Sequence, residues 1–381
     1  AVDAFRGAGR PEANFLLERL MDHIAAELSI DRFDLRLRNL IKPEQIPYQM
    51  VEGGSVDSGD MPGLLSEAME KADVAGFASR KAKSAAEGKY RGLGVAMYLE
   101  QCGSGGGGGV DIEFSADGTV ILYAAQQENG QGHHTTLTQI FSSQLGYDAG
   151  SITVVQGDSH RSPPGTTGGA KMSSVLGSSV FEAAGLILKN AQIMASNHLD
   201  VDQDEISFSD GVFTAAGSNQ TVTIEELVRL TATEDGPHPL NRFNNYRAAG
   251  ATYPYGCHII EMEVDRATFV PQIVRYVTVD DFGNILNPMT LNGQIQGGIA
   301  QGVGQALYEC LSYDETGQLL SGSLMDYTLP CADHLPSIDV HFCGMPTGNN
   351  HLEVKGSGQA GAIGSTQAVI SASPSIPILT A

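Results

Sequence analysis

The chain has 381 residues, of which 41% are hydrophobic and 17% charged, enough to bury a core in one large or two ordinary domains and unlike a disordered segment. Twenty-two Lys plus Arg stand against 44 Asp plus Glu, a formal net charge of −22, which argues against nucleic acid or an anionic membrane as a partner because phosphate binding needs neutralising cations. Five cysteines, Cys102, Cys257, Cys310, Cys331 and Cys343, are scattered without a CxxC, so neither a zinc ribbon nor an iron–sulfur cluster is suggested, and they read as reduced, buried thiols of a cytoplasmic protein.

In chain order, Ala13, Leu16, Leu17, Leu20, Met21, Ile24 and Leu28 recur at helical spacing after Pro11, which sits at a first-turn position beside the acidic Glu12. That spacing predicts a helix over 11–28, and a second follows over 31–39. Residues 42–59 are punctuated by Pro and Gly and read as a crossing segment, after which one helix is expected over 61–86. The pattern then turns to strands over 92–100, 110–114 and 119–125, the last two joined by the Ala116, Asp117, Gly118 turn. A helix over 133–145, a strand over 152–156 and a long helix over 172–197 come next, then strands near 206–213, 257–265 and 272–280. Over 291–311 an apolar residue recurs at every fourth position (Leu291, Ile295, Ile299, Val303, Leu307) with glycines between, the mark of a buried helix pressed against backbone. Long helices mixed with hairpins indicate an α+β fold, without internal repeats, and no apolar run reaches the roughly 20 residues of a membrane helix.

The 46 glycines cluster. Four Gly-rich loops run into helices: FRGAGRPE at 5–12, ENGQGHHTT at 128–136, GTTGGAKMSS at 165–174 and GSGQAGAIG at 356–364; a fifth, CGSGGGGG at 102–109, lies between strands. Glycine lets backbone approach a ligand, and free amides at a helix start bind anions. Four such loops carrying Arg6, Gln131, Lys171 and Gln359 suggest a shared cradle for a phosphorylated cofactor. GSGQAG matches GxGxxG, but no Asp or Glu follows Glu353 to hold a ribose, which argues against a dinucleotide site. Walker A, GxSxG and HExxH are absent, and the adjacent His133 and His134 cannot face one metal from a helix; one surface and one partly buried histidine is the plain reading.

FRGAGRPEA, ENGQGHHTTLTQI, GGAKMSS, the long VDDFGNILNPMTLNGQIQGGIAQGVGQALYE at 279–309, GSLMDYTLP and VKGSGQAGAIG resemble, in order and spacing, the molybdopterin-binding large subunit of the xanthine dehydrogenase, aldehyde oxidase and aerobic carbon monoxide dehydrogenase family. The likeness covers nearly the whole chain and implies that family's α+β architecture, with 1–60 the tail of the first molybdopterin-binding domain and 61–381 the second. It implies a molybdenum hydroxylase acting with water on an aldehyde or N-heterocycle. The cofactor is molybdopterin, alone or as its cytosine dinucleotide, holding molybdenum through its dithiolene without direct protein ligands. Electrons pass to an iron–sulfur subunit and an FAD subunit. By that resemblance Gln131, between Gly130 and Gly132, hydrogen-bonds the pterin; Gly7 and Ala8, after Arg6, line the metal pocket; Gly169, Ala170, Ser173 and Ser174 touch pterin or phosphate; Gln294 meets the pterin edge. Lys171 is a phosphate partner by its charge and loop position.

Three departures stand out. The family's earlier glycine–glycine–phenylalanine–glycine loop is not in this chain, which opens at Ala1 in mid-pattern and reads as a fragment, a processed chain or half of a split subunit. The loop at 5–10 lacks the cysteine of carbon monoxide dehydrogenases, so CO oxidation is not favoured. After Gly358, Gln359 stands where the family has its general-base glutamate, and an amide cannot take that proton. Hence a second reading: a cofactor-binding or assembly protein without hydroxylase activity. The expected partners are the missing N-terminal half of the large subunit, the iron–sulfur and FAD subunits and a small-molecule substrate; the apolar face of the 11–28 helix should be exposed or paired in a homodimer.

Overall fold

The computed structural model describes residues 5–51, 53–103, 106–233 and 236–374. In chain order it forms α1 (Arg10–Leu28), α2 (Arg32–Asn39), β1 (Tyr48–Gln49), β2 (Ser55–Val56), α3 (Met61–Lys71), α4 (Phe77–Ala86), β3 (Lys89–Leu99), β4 (Gly108–Phe114) and β5 (Val120–Ala124). Next come α5 (His133–Leu145), β6 (Ile152–Gln156), α6 (Ser178–Leu199), β7 (Ile206–Ser209), β8 (Val212–Ala215), β9 (Thr221–Thr223), α7 (Ile224–Thr231) and β10 (Arg242–Tyr246). The last are β11 (Tyr255–Asp265), β12 (Pro271–Asp281), α8 (Pro288–Leu307), β13 (Ile338–Phe342) and α9 (Ala360–Ser371). The fold is α+β, as the sequence implies. It divides into a first unit, Ala1–Gln101 with Tyr253–Thr347 and Ser357–Ala381, and a second, Cys102–Thr252 with Gly348–Gly356.

The first unit is built on the sheet β13-β12-β11-β3, antiparallel except for the parallel β12/β13 pair. β11 is buried on both faces. Ile260, Met262 and Val264 join Ile295, Ile299 and Val303 of α8 and Ala360, Ile363 and Val369 of α9 in one core. Alternation sends Glu261 and Glu263 to the other face, where Arg80 of α4 and Arg91 of β3 meet Glu261 at 2.8 and 2.7 Å. α8 and α9 touch backbone to backbone: a Cβ at Gly361 would lie 2.8 Å from the Ile299 amide, and one at Gly298 would lie 2.9 Å from the Ala362 amide. α1 sits against α9 and α2, where buried Arg36 binds Glu18 at 2.9 Å and Asp22 at 2.8 Å.

The second unit carries the sheet β10-β4-β5-β6, with β5/β6 parallel, and the three-stranded sheet β7-β8-β9. α5 and α6 pack on the larger sheet, and Val110, Ile112, Leu122, Leu137 and Phe141 are fully buried there. Before α6 the helix opens as a π turn, Met172–Gly177.

Most expected elements are present, and the differences have local causes. The single helix expected over 61–86 is broken: Asp73 turns left-handed (φ 47°), its side chain caps the Gly76 amide, and Arg80 holds its carboxylate at 2.5 Å. The strand expected near 206–213 is a hairpin, because Asp210 (φ 47°) and Gly211 (φ 80°) form a two-residue turn between β7 and β8. The helix expected over 291–311 starts earlier, at Pro288 behind the Asn287 cap, and ends at Leu307. β1, β2, β9, β10, β13 and α7 were not anticipated; α7 is announced by a capping box between Thr223 and Glu226. All five cysteines are free, but only Cys102 and Cys257 are buried; Cys310 and Cys331 lie exposed on the irregular chain after α8, which no sheet or helix covers. His133 is buried and His134 exposed. Residues 104 and 105 of the Gly-rich strand connection lie outside the described residues. Among the described residues no helix is long and apolar enough to cross a membrane.

The α8/α9 contact leaves no room for a side chain, so Gly361→Val should destabilise the protein by about 1–3 kcal/mol. Urea unfolding followed by circular dichroism measures this; an unchanged midpoint would show that the helices separate freely.

Candidate functional site

Of the residues that the sequence singles out, Arg6, Gly7, Ala8, Gln294, Gly358 and Gln359 belong to the first unit, and the other eight to the second.

In the first unit, residues 5–10 form a tight turn before α1, with the Ala8 amide donating to Phe5 O at 2.8 Å and the Arg10 amide to Gly7 O at 3.0 Å. Ala8 is left-handed (φ 49°), unusual for a residue with a Cβ and compatible with backbone presented outward. The Arg6 guanidinium fans across the fold. Its Nε donates to Gly358 O at 2.6 Å, Nη1 to Gln301 Oε1 at 3.1 Å, and Nη2 to both Gln294 O and Gln294 Oε1 at 3.0 Å. Arg6, Gln294 and Gly358 are thus brought together. Burial pulls this guanidinium below its ordinary range, while the charge of Glu100 opposes the shift. Gln301 was missed, although it lies two helical turns after Gln294 on α8 and therefore on the same face.

Gln359 is the N-cap residue of α9 and half-buried. Its Oε1 accepts from Arg10 Nη1 at 3.3 Å, and Arg10 Nη2 donates to Gln101 O at 3.1 Å. Arg10 was also missed; it is the first residue of α1, and its side chain reaches the residue that starts α9.

In the second unit the loop before α5 is closed by its own carboxylate. Glu128 Oε1 accepts from the amides of Gly130 and Gly132, each at 2.9 Å, and Oε2 accepts from the His133 amide. The amides of Gly130, Gly132 and His133 are therefore engaged within the loop, where the sequence suggested amides free for an anion. The Gln131 Oε1 accepts from the Asn129 amide at 2.5 Å, which leaves its NH₂ as the end available for a ligand. Burial pushes the Glu128 carboxyl up, but the Gly132 amide, the neighbouring His133 and the His133 amide together hold it below the usual glutamate range. Burial likewise pulls the His133 imidazole down, against Glu128.

The second loop joins the first through the Thr167 hydroxyl, which donates to Gln127 O at 2.7 Å. Gly169 O accepts from the Gly103 amide at 2.9 Å, and Ala170 is left-handed (φ 49°). Lys171 precedes the π turn; it is half-buried and forms no ion pair among the described residues. Ser173 is half-buried and Ser174 fully buried. A Cβ built at Gly130, Gly168 or Gly169 meets nothing within 4 Å, so both loops face open space. Behind them the buried Gln126 carboxamide has no partner. Open backbone, a free cation and free carboxamide donors fit a phosphorylated heterocycle. No cluster of three or more His, Cys, Asp or Glu among the described residues can hold a metal directly.

Family profiles described as molybdopterin cofactor-binding domains match residues 67–336 and 1–40. The chain is 31% identical over 383 residues to the 6-hydroxypseudooxynicotine dehydrogenase complex subunit gamma of Paenarthrobacter nicotinovorans, covering 97% of this chain and 48% of that protein. It is 31% identical over 380 residues to the carbon monoxide dehydrogenase large chain of Afipia carboxidovorans, covering 93% and 46%. The structure of quinoline 2-oxidoreductase from Pseudomonas putida 86 superposes with a TM-score of 0.88 at 28% identity, covering 97% of this chain and 49% of the other. The chain spans about half the length of the curated relatives it matches.

The Glu128 clamp makes the loop pH-sensitive in a definite direction. A carboxyl held below its unfolded value near about 4.3 contributes stability that is complete above that value and lost as pH falls through the lower folded value. Protection factors of the amides at the start of α5, taken against the intrinsic exchange rate at each pH, should therefore fall below about pH 4, and Glu128→Gln should flatten that dependence. Equal acid sensitivity in both proteins would place the titrating group elsewhere.

Proposed function

Because the chain belongs to the molybdopterin cofactor-binding family of xanthine dehydrogenase, aldehyde oxidase and carbon monoxide dehydrogenase large subunits, we propose that it is the cofactor-holding part of an oxidoreductase that hydroxylates an aldehyde or an N-heterocycle with water. The observation that carries this reading beyond the family is the Arg6 junction, which gathers Gln294 and the Gly358–Gln359 turn, residues far apart in the chain, at one place. When bound, molybdopterin supplies molybdenum as the two-electron redox centre at which oxygen from water is transferred to an electron-poor carbon.

The protein's own contribution is positional. Gln131 offers its NH₂ to the pterin; Lys171, with the Gly169–Ala170 backbone and the Ser173 and Ser174 hydroxyls, takes the phosphate; Gln294 meets the pterin edge; and the Gly7–Ala8 backbone walls the reacting centre. Gln359 orients a donor or acceptor beside that centre but accepts no proton. Residues 1–60 then form the tail of the first cofactor-binding domain and 61–381 the second, in keeping with separate profile matches to 1–40 and 67–336.

Partner subunits follow from the same reading, with electrons leaving to iron–sulfur and FAD subunits; the names of the relatives, a complex subunit and a large chain, support it. On α1, Leu16, Leu17 and Leu20 are 69, 61 and 53% exposed, and the rest of a large subunit would cover them. The substitution at Gln359 keeps a second reading alive, a cofactor-binding or assembly protein without turnover.

Two measurements separate these readings. Purified with its partners, the complex should release a pterin identifiable by mass and reduce a dye in the presence of an aldehyde or heterocycle; metal and pterin without turnover supports the assembly reading, and no pterin at all overturns both. In the active complex Gln359→Glu should raise kcat on a neutral substrate by about 10²–10⁴, the worth of a general base. The acid limb it introduces should lie below the ordinary glutamate range, because Arg10 stands 3.3 Å from that side chain. A wild-type enzyme already turning over near 10 s⁻¹, unimproved by the substitution, would mean that another residue supplies the base.

A further inference from the structure

After α8 the chain of the first unit leaves the helices, and residues 311–329 are exposed save Leu319, Ser321 and Tyr327. The stretch is nonetheless ordered by its own hydrogen bonds. The Leu320 amide donates to Ser312 O at 2.8 Å and the Ser312 amide to Ser321 Oγ at 3.0 Å, while Asp314 Oδ1 accepts from the Thr316 and Gln318 amides, each at 2.9 Å. Its base is fixed to the end of α8, where Tyr327 OH donates to Glu309 Oε2 at 2.5 Å and a Cβ at Gly304 would lie 3.0 Å from Pro330 Cδ. The result is a preformed arm whose side chains are ill suited to water: Leu311, Tyr313, Leu320 and Leu329 are exposed, with Leu324 and Met325 at 78 and 95%. An apolar surface that is already ordered loses little entropy on meeting a partner.

Charge and position define that partner. No Lys or Arg lies between Arg275 and Lys355, whereas Glu309, Asp314, Glu315, Asp326 and Asp333 mark the arm and its base. A second copy meeting it arm to arm would set acid against acid, so the complementary surface is an apolar groove rimmed by Lys or Arg. The base of the arm also lies close to the first described residues of the chain, because Arg6 donates to Gln301 Oε1 at 3.1 Å, about one helical turn before Gly304. Two relatives are matched over 48 and 46% of their length, so each carries a further half that this chain does not. We propose that the 311–329 arm seats in an apolar, basic-rimmed groove of the first cofactor-binding domain, the domain whose tail is residues 1–60. This rests on the domain reading given above. Seating the arm would fix the end of α8, and with it the Gln294 and Gln301 acceptors of Arg6.

The test places a photo-cross-linker at the most exposed point of the arm, Met325→p-benzoylphenylalanine, in the complex purified with its partners, and identifies the linked peptide by mass. The link should fall on a peptide of the first cofactor-binding domain with Lys or Arg beside the linked residue. A link to a second copy of this chain, to the iron–sulfur subunit or to the FAD subunit overturns the proposal, and so does the absence of any link. Adding Asp314→Lys, Glu315→Lys and Asp326→Lys together should lower the yield at least about tenfold, since like charges then face each other; an unchanged yield also overturns it. All four positions are exposed, so the substitutions leave the core of the first unit intact. Pterin content measured on the same samples keeps the two readings apart. A pterin-free complex that still gives the expected link supports the arm and refutes the cofactor reading, and a pterin-loaded one without the link refutes the arm alone.

Discussion

The Arg6 guanidinium carries a full charge into a half-buried position, where its hydrogen bonds go to neutral oxygens and the charge of Glu100 offsets part of its burial. Each hydrogen bond to a charged group is worth about 1.5–3 kcal/mol, so the desolvation of the cation is offset only while the acceptors stay in place. Those acceptors come from the turn before α9 and from one face of α8. Both are held rigidly because α8 and α9 meet at glycines, with backbone against backbone and Ile295, Ile299 and Ile363 filling the core around the contact. The close helix contact thus determines where Gly358 and Gln359 lie, and Arg6 transmits that placement to the 5–10 turn. A fault in the helix pair would be felt at the site without any change in a site residue.

What was legible in the sequence follows the range of the forces involved. Helix starts marked by side-chain caps, such as Asp31 accepting from the Phe33 and Asp34 amides, need only local information. The buried faces of α8 and β11 show in apolar spacing. The break between α3 and α4 was hidden because Asp73 adopts its left-handed turn only under the hold of Arg80, itself fixed by Glu261 from a distant strand. The Asp210–Gly211 turn, by contrast, was there to be read from two adjacent residues. In the site, motif likeness pointed to the loops but not to what closes them: Arg10 and Gln301 take their partners through the fold, whereas the Glu128 clamp is local to its own loop. Nor does spacing reveal that the first unit is assembled from three stretches of chain.

In the second unit the chain resolves an electrostatic problem internally. A helix start attracts an anion, and Glu128 is that anion. With those amides engaged, the group that the Gln131 loop leaves available is a carboxamide NH₂, which suits an uncharged ring edge better than a phosphate. Lys171, on the neighbouring loop tied through Thr167, forms no ion pair among the described residues and under the proposed function is the cation for a phosphate. Under the proposed function the two adjacent loops divide the polar and the ionic parts of recognition between them.

The π turn at Met172–Gly177 bears on how the chain tolerates change in length. A helical register advances by about 100° per residue, and a π turn absorbs one residue more than an α turn would over the same rise. Removing a single residue there would relax the segment into ordinary α-helix and leave Gly169 to Lys171 facing nearly as before, whereas the same deletion further along α6 would swing everything upstream by about 100°. The segment is thus the one stretch of this helix where a one-residue change of length leaves the direction of the preceding loop unaltered.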